Sequence, residues 1–186
     1  IYIFHDSLSG SRKLYLPQCA MQGGRRSLGL YKEMKMEQDK PKYTIPDDET
    51  RYTIPEEALE DEVFARMIKE AEKYLGYPYV WGGSSPSTSF DCSGFVCWVI
   101  NNCGNGWNVG RTTAEGLRQM LPAIRPSEAK AGDIIFFQGT YDTVGASHVG
   151  IYVGNGMMIH CGSPIQYASV NSDYFQRPFM CYCRLP

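Results

Sequence analysis

Apolar and polar positions change their period partway along the chain. Val63, Met67, Ala71 and Leu75 return every fourth residue, with acidic residues crowding the start, Lys69 and Lys73 near the end and Gly76 after it. That order complements the helix dipole and predicts an amphipathic helix, opened by a capping box at Thr53-x-x-Glu56 with Pro55 in its first turn. A second helix is predicted to start at Asp91 or Cys92, with Phe95, Val96, Val99, Ile100 and Cys103 on its apolar face and Gly104 ending it. A third opens with another capping box, Thr112-x-x-Glu115, and stops at Pro122. Beyond it the period drops to two or to continuous apolar runs. Residues 134–137, 149–153, 157–160 and 179–183 read as strands, and Gly154-Asn155-Gly156 reads as a hairpin turn between the second and third. Helices first and antiparallel strands afterwards predict an α+β fold.

Upstream the pattern is weaker. Residues 1–4 and 14–16 have strand character, and residues 30–38 suit a short helix. Lys42-Tyr43-Thr44-Ile45-Pro46-Asp47-Asp48 recurs as Arg51-Tyr52-Thr53-Ile54-Pro55-Glu56-Glu57. Two copies are too few for a solenoid, and the prolines and acidic pairs suit an extended linker. The expected organisation is an arm at residues 1–40 with no assigned role, a linker at 41–57 and a folded domain at 58–186.

Composition narrows the classes. The 186 residues are 43% hydrophobic and 20% charged, which suits one packed domain with an appendage. A net charge of −2 and a pI near 5.9 give no electrostatic footprint for nucleic acid. No basic amphipathic helix and no run of 18 apolar residues appears, so no direct membrane contact is expected from these residues. Ile1 in place of an initiator Met suggests a fragment or processed form, with any anchor upstream. Oligomeric state is not indicated. Seven cysteines are an odd number, so at least one thiol is unpaired within the chain. None has the spacing of a structural zinc site, and most read as small buried hydrophobes. Cys181 and Cys183 would share a face if they lie on a strand.

Cys92 sits in Ser89-Phe90-Asp91-Cys92-Ser93-Gly94, where loop becomes helix. The unpaired N–H groups there favour a thiolate, the nucleophilic form, and can hold an oxyanion beside it. Small Ser93 and Gly94 would let a substrate carbonyl approach. Taken alone, such a cysteine is more often a buried structural residue. A nucleophile needs a base and an orienting group. Of the three histidines, His148 opens a predicted strand with Gly150 beside it, leaving space for substrate, and His160 ends the strand across the hairpin. A second imidazole bonded to the first would fix its tautomer. A metal site from Cys92, His148, His160 and Cys161 fits the spacing poorly, because neighbouring strand residues point to opposite faces.

These residues carry a resemblance. Tyr74-Leu75-Gly76-Tyr77-Pro78-Tyr79-Val80-Trp81-Gly82-Gly83, then Phe90-Asp91-Cys92-Ser93-Gly94-Phe95-Val96, then Ala131-Gly132-Asp133-Ile134-Ile135-Phe136-Phe137, then Ser147-His148-Val149-Gly150-Ile151-Tyr152-Val153-Gly154-Asn155-Gly156 with Met158-Ile159-His160, together resemble the NlpC family of papain-like murein peptidases. The resemblance implies a papain-like α+β fold, with N-terminal helices and the nucleophile helix packed on a central antiparallel sheet. It implies cysteine endopeptidase activity on peptidoglycan stem peptides, at the bond from γ-D-glutamate to the diamino acid, with no cofactor and no metal. Carried over, Cys92 is the nucleophile, His148 the base and His160 the orienting group. Tyr79, Asp91 and Ser93 fall at substrate-recognition positions, with Trp81, Arg111 and Ser147 as further candidates. Tyr79 is equally a packing aromatic, Arg111 equally a surface arginine, and Trp81 a core or cleft-wall residue. An extracellular or cell-wall location follows from the same resemblance. The rival readings are a murein amidase or lipid acyltransferase, a non-catalytic wall-binding module, and an enzyme covered by its own N-terminal arm.

Overall fold

The computed structural model describes residues 52–186 and the backbones of two short strands, β1 (Tyr2–His5) and β2 (Arg12–Tyr15). The chain divides into two units, Ile1–Lys40 and Pro41–Pro186. In the first, β1 and β2 pair antiparallel, Tyr2 opposite Tyr15. The helix expected at residues 30–38, the first copy of the repeat, and Cys19 lie outside the described residues.

The second unit opens with one turn of helix, α1 (Glu56–Leu59), and then α2 (Glu62–Ala71). The expected capping box is not used. Pro55 precedes α1 without a side-chain cap, and Asp61 caps α2 by accepting from the Val63 and Phe64 amides at 3.0 and 3.3 Å. The buried stripe is Phe64, Met67, Ile68 and Ala71, and Val63 is exposed. Met67, Ala71 and Leu75 of the expected stripe are buried, and only Val63 falls off it, because a 3.6-residue turn drifts away from a strict fourfold period.

Two short strands, β3 (Ser84–Ser85) and β4 (Ser89–Phe90), lead into α3 (Cys92–Asn102), the helix predicted at Asp91 or Cys92. Phe95, Val96, Val99 and Ile100 are buried as expected, and so are Cys92, Ser93 and Gly94, making α3 the central helix of the core. Gly104 ends it with a φ of 82°, the left-handed conformation that glycine supplies at a helix end. In α4 (Ala114–Met120) the cap is Thr113, one residue later than expected, accepting from Gly116 N. Glu115 is thereby released from a capping box, and its carboxylate reaches another element, as described below.

The sheet has the order β5-β10-β6-β7-β8-β9, antiparallel throughout, from β5 (Ala123–Ile124), β6 (Ile134–Gln138), β7 (Ala146–Gly154), β8 (Met157–Cys161), β9 (Ile165–Ser169) and β10 (Phe179–Cys183). The predicted hairpin joins β7 to β8 through Gly154, Asn155 and Gly156, all at positive φ. β9 and β5 were not predicted; β9 is half-buried with polar Gln166 and Ser169, and β5 has two residues. α3 and α4 cover one face of the sheet. On the other, Ile135, Phe137, Met158 and Tyr182 form a smaller cluster with Phe175 of the single-turn helix α5 (Asp173–Gln176).

Candidate active site

The site is built where α3 begins against β7. Asp91 caps the helix, Oδ1 accepting from Gly94 N at 2.7 Å. Its own amide donates to the Gly83 carbonyl at 2.9 Å, which draws the loop at residues 79–83 onto the helix start. That contact is why position 94 is glycine: a Cβ there would lie 2.1 Å from the Gly83 oxygen. The small residue thus serves backbone packing, a role the sequence pattern did not show.

Cys92 is placed by a bulge. The β6–β7 register runs Phe137 opposite His148 and then Gln138 opposite Ala146, so Ser147 is the extra residue. Its carbonyl is thus free to receive the Cys92 thiol, at 3.9 Å. The Val149 amide also reaches the sulfur, together with the amides of Ser93 and Cys92. The sulfur therefore lies against the backbone on both sides of His148.

His148 Nε2 and His160 Nδ1 are 2.8 Å apart, with the rings nearly perpendicular at 87°. With Nε2 engaged, Nδ1 is the His148 nitrogen left for the thiol. Gly150 makes the pairing possible. It stands directly opposite His160 in the β7–β8 register, and a Cβ there would lie 3.1 Å from His160 Cβ. The room glycine leaves is occupied by His160 rather than by substrate, a correction to the expectation. Phe175, which sequence reasoning missed, lies parallel to His148 (23°, 6.3 Å) and edge-on to His160 (5.3 Å). Its one-turn helix gives no period from which it could have been found.

Burial governs the protonation states. It lowers His148 to about 4 and, with the His148 charge added, His160 to about 3. Burial, and next the Asp91 charge, raise the Cys92 thiol to about 11 against the opposing amides. The expected thiolate is therefore not the resting form: desolvation outweighs the helix-start N–H groups, and thiol and imidazole rest neutral.

The other candidates fall into two groups. Asp91, Ser93 and Arg111 form one network: Ser93 Oγ lies 3.1 Å from Asp91 Oδ1, Arg111 Nη1 donates to Ser93 Oγ at 2.9 Å, and Arg111 Nη2 donates to Asp91 Oδ2. Tyr79 is half-buried, bridged to Phe90 through the backbone, and its hydroxyl is raised by burial first and then by the charges of Cys92 and Asp91. Trp81 is 72% exposed, so it is no core residue, and it meets Tyr141 edge-to-face at 5.4 Å. Ser147, by contrast, has its hydroxyl bound within its own loop, to Thr140 N (2.9 Å) and Thr140 Oγ1 (2.8 Å). Cys161 lies with its sulfur on the Phe90 carbonyl at 3.2 Å. Cys181 and Cys183 share a face, their sulfurs 3.9 Å apart, and the six cysteines among the described residues are all free thiols.

A buried thiol at a helix start, set against a histidine pair on an antiparallel sheet, defines a papain-like α+β protein. The chain belongs to the NlpC/P60 family, whose model matches residues 76–184. It is 43% identical over 123 residues to the bifunctional muramidase/DL-endopeptidase CwlT of Bacillus subtilis, a match covering 66% of this chain and 36% of that protein. It is 44% identical over 111 residues to the murein DD-endopeptidase MepH of Escherichia coli, covering 57% and 40%. Among solved structures, a Staphylococcus aureus protein similar to lipoproteins of the NLP/P60 family superposes with a TM-score of 0.63 at 36% identity, over 75% of this chain and 44% of that one. The chain thus spans less than half the length of these relatives.

Proposed function

We propose that residues 58–186 form a cysteine endopeptidase domain that hydrolyses peptidoglycan stem peptides, at the bond from γ-D-glutamate to the diamino acid. The observation that carries this reading is the Cys92 sulfur lodged between the Ser147 carbonyl and the Val149 amide, flanking a His148 ring that His160 holds by one nitrogen. A binding module has no need of that arrangement. The relatives' names support the substrate class, and the DL-endopeptidase name supports the bond, whereas the DD-endopeptidase marks the alternative within the family.

The cycle follows from the resting protonation states. As the sulfur attacks the carbonyl carbon, its proton passes to His148 Nδ1, so the ion pair forms only with the S–C bond. The Cys92 and Ser93 amides, already directed at the sulfur, are placed for the oxyanion. Collapse breaks the C–N bond, and His148 gives the proton to the leaving amine. Water then attacks the thioester, its proton taken by His148 and returned to the Cys92 sulfur. His160, accepting from His148 Nε2–H, keeps Nδ1 free to act as base. In this reading residues 41–57 are a linker, residues 1–40 an arm, and the cell wall is the place of action. Mass spectrometry of purified muropeptides tests it. The intact protein should release fragments ending in γ-D-glutamate and Cys92→Ala should release none; equal release by both, or none by either, overturns the assignment.

A further inference from the structure

We propose that Cys181 and Cys183 form an exchange-active dithiol that reacts with small disulfides, Cys181 attacking first and Cys183 closing a reversible bridge. The site lies on β10, which β6 separates from β7, and it does not depend on the peptidase reading above.

Positions two apart on a strand share a face, and on β10 that brings the two sulfurs to 3.9 Å. Their surroundings differ. Cys183 is fully buried, opposite Ile134 of β6 on one side and Ala123 of β5 on the other. β5 stops at Ile124, the partner of Tyr182, so no residue of β5 lies opposite Cys181, and Cys181 is half-exposed. An external disulfide therefore meets Cys181 first, while Cys183 waits behind it out of solvent. Burial first, and then the neighbouring Cys181, hold the Cys183 thiol above its ordinary value, so it rests protonated during the first step. A zinc-type site is the weaker reading: among the described residues no third cysteine, histidine or carboxylate joins the pair as a ligand group.

The reaction is two thiol–disulfide exchanges. In the first, the Cys181 thiolate attacks one sulfur of the small disulfide. A new S–S bond forms as the old one breaks, and one half leaves as a thiolate that takes up the proton Cys181 released. In the second, Cys183 loses its proton and attacks the Cys181 sulfur, and the other half leaves as a thiol. The protein dithiol is oxidised to a disulfide, and the small disulfide is reduced to two thiols.

The strand makes that bridge labile. Cα atoms two apart on an extended strand are about 6.6–6.8 Å apart, at the upper limit of about 6.8 Å for a disulfide. β10 has slack to shorten there, because its register with β6 shifts between Phe179 and Cys181. The ring closes over a single residue, Tyr182, so it removes little chain entropy and adds little stability. A bridge at the limit of reach that stabilises little is readily reduced, which suits cycling rather than a structural staple.

The test uses the full chain, fully reduced, with glutathione disulfide as the probe. After acid quenching, free thiols are alkylated in denaturant and each cysteine is mapped by peptide mass spectrometry. Cys181 and Cys183 should escape alkylation together, as an internal bridge, at least about ten-fold faster than buried Cys97, Cys103 and Cys161 react. Dithiothreitol should restore both thiols. In Cys183→Ser the reaction should stop with glutathione held on Cys181, and in Cys181→Ser the Cys183 thiol should stay reduced. The proposal is overturned if wild-type Cys181 stays reduced or keeps its glutathione without bridging. It is equally overturned if Cys183 reacts as fast in Cys181→Ser as in wild type. The wild-type measurement decides the matter even where a variant fails to fold.

Discussion

Glu115 offers the sharpest test of how the site is held. Its carboxylate accepts from Ala146 N at 2.7 Å, pairs with Arg118 through Nε (2.8 Å) and Nη2 (2.6 Å), and receives Gln119 Nε2 at 2.9 Å. Gly145 has no side chain to obstruct this: a Cβ there would lie 2.4 Å from the carboxylate. The contact pins the first residue of β7, two positions before His148. The Arg118 hydrogen bond first, then the Ala146 amide, hold the Glu115 carboxyl at about 2 against an ordinary 4.5. That depression corresponds to about 3 kcal/mol of stabilisation of the folded state. The pair is partly open to solvent, and Glu115→Gln keeps an acceptor for Ala146, so the expected loss is about 2 kcal/mol.

Because the folded pKa is depressed, the contribution is complete above the unfolded value of about 4.5 and is lost as the pH falls through about 2. Near pH 3 it is less than half its neutral value. Urea titrations of wild type and Glu115→Gln at pH 7 and pH 3 measure this. The histidines charge in both proteins, so their effect cancels in the difference. Loosening the entry to β7 should also lower kcat by about ten-fold, the cost of a small misplacement of a reacting group. Equal stabilities at pH 7, or the same difference at both pH values, would refute the reasoning.

Two further outcomes follow from the histidine pair. Since His148 must be neutral to act and burial lowers it to about 4, kcat/KM should hold as the pH falls through 6.5 and decline only near 4. Phe175→Ala, admitting water to both rings, should move that acid limb upward toward 6.5 in a pH–rate profile. Gly150→Ala should displace His160 and cost about ten-fold or more in kcat while changing the melting temperature by only a few degrees, because the strand can shift by a few tenths of an ångström without losing its ladder.

Much of the frame was legible in the chain because local signals acted alone. The central helix shows itself by its capping aspartate, apolar face and closing Gly104; the β7–β8 hairpin by Gly154-Asn155-Gly156 between apolar runs; β10 by residues 179–183. Two capping boxes went astray because a side chain that satisfies the local pattern was outbid by a neighbour. Asp61 capped α2 in place of Thr53, and Thr113 capped α4 while Glu115 turned to β7. The short β5 and the one-turn α5 are too brief to carry a period, which is why Phe175 stayed hidden.

The sequence by itself determined a cysteine at a helix start with an aspartate before it, and two histidines across a hairpin; that Arg111 joins them came only with the fold. Tertiary structure decided what each of them does. The bulge at Ser147 turned a backbone carbonyl toward the thiol, and Gly94 and Gly150 let the Gly83 backbone and His160 close in. Burial left thiol and imidazole neutral where a helix start alone would have favoured the thiolate. The physical reason is range. Capping and periodicity act over a few residues of chain, whereas desolvation, hydrogen-bond saturation and steric room depend on groups tens of residues away, and these exist only once the sheet and α3 have met.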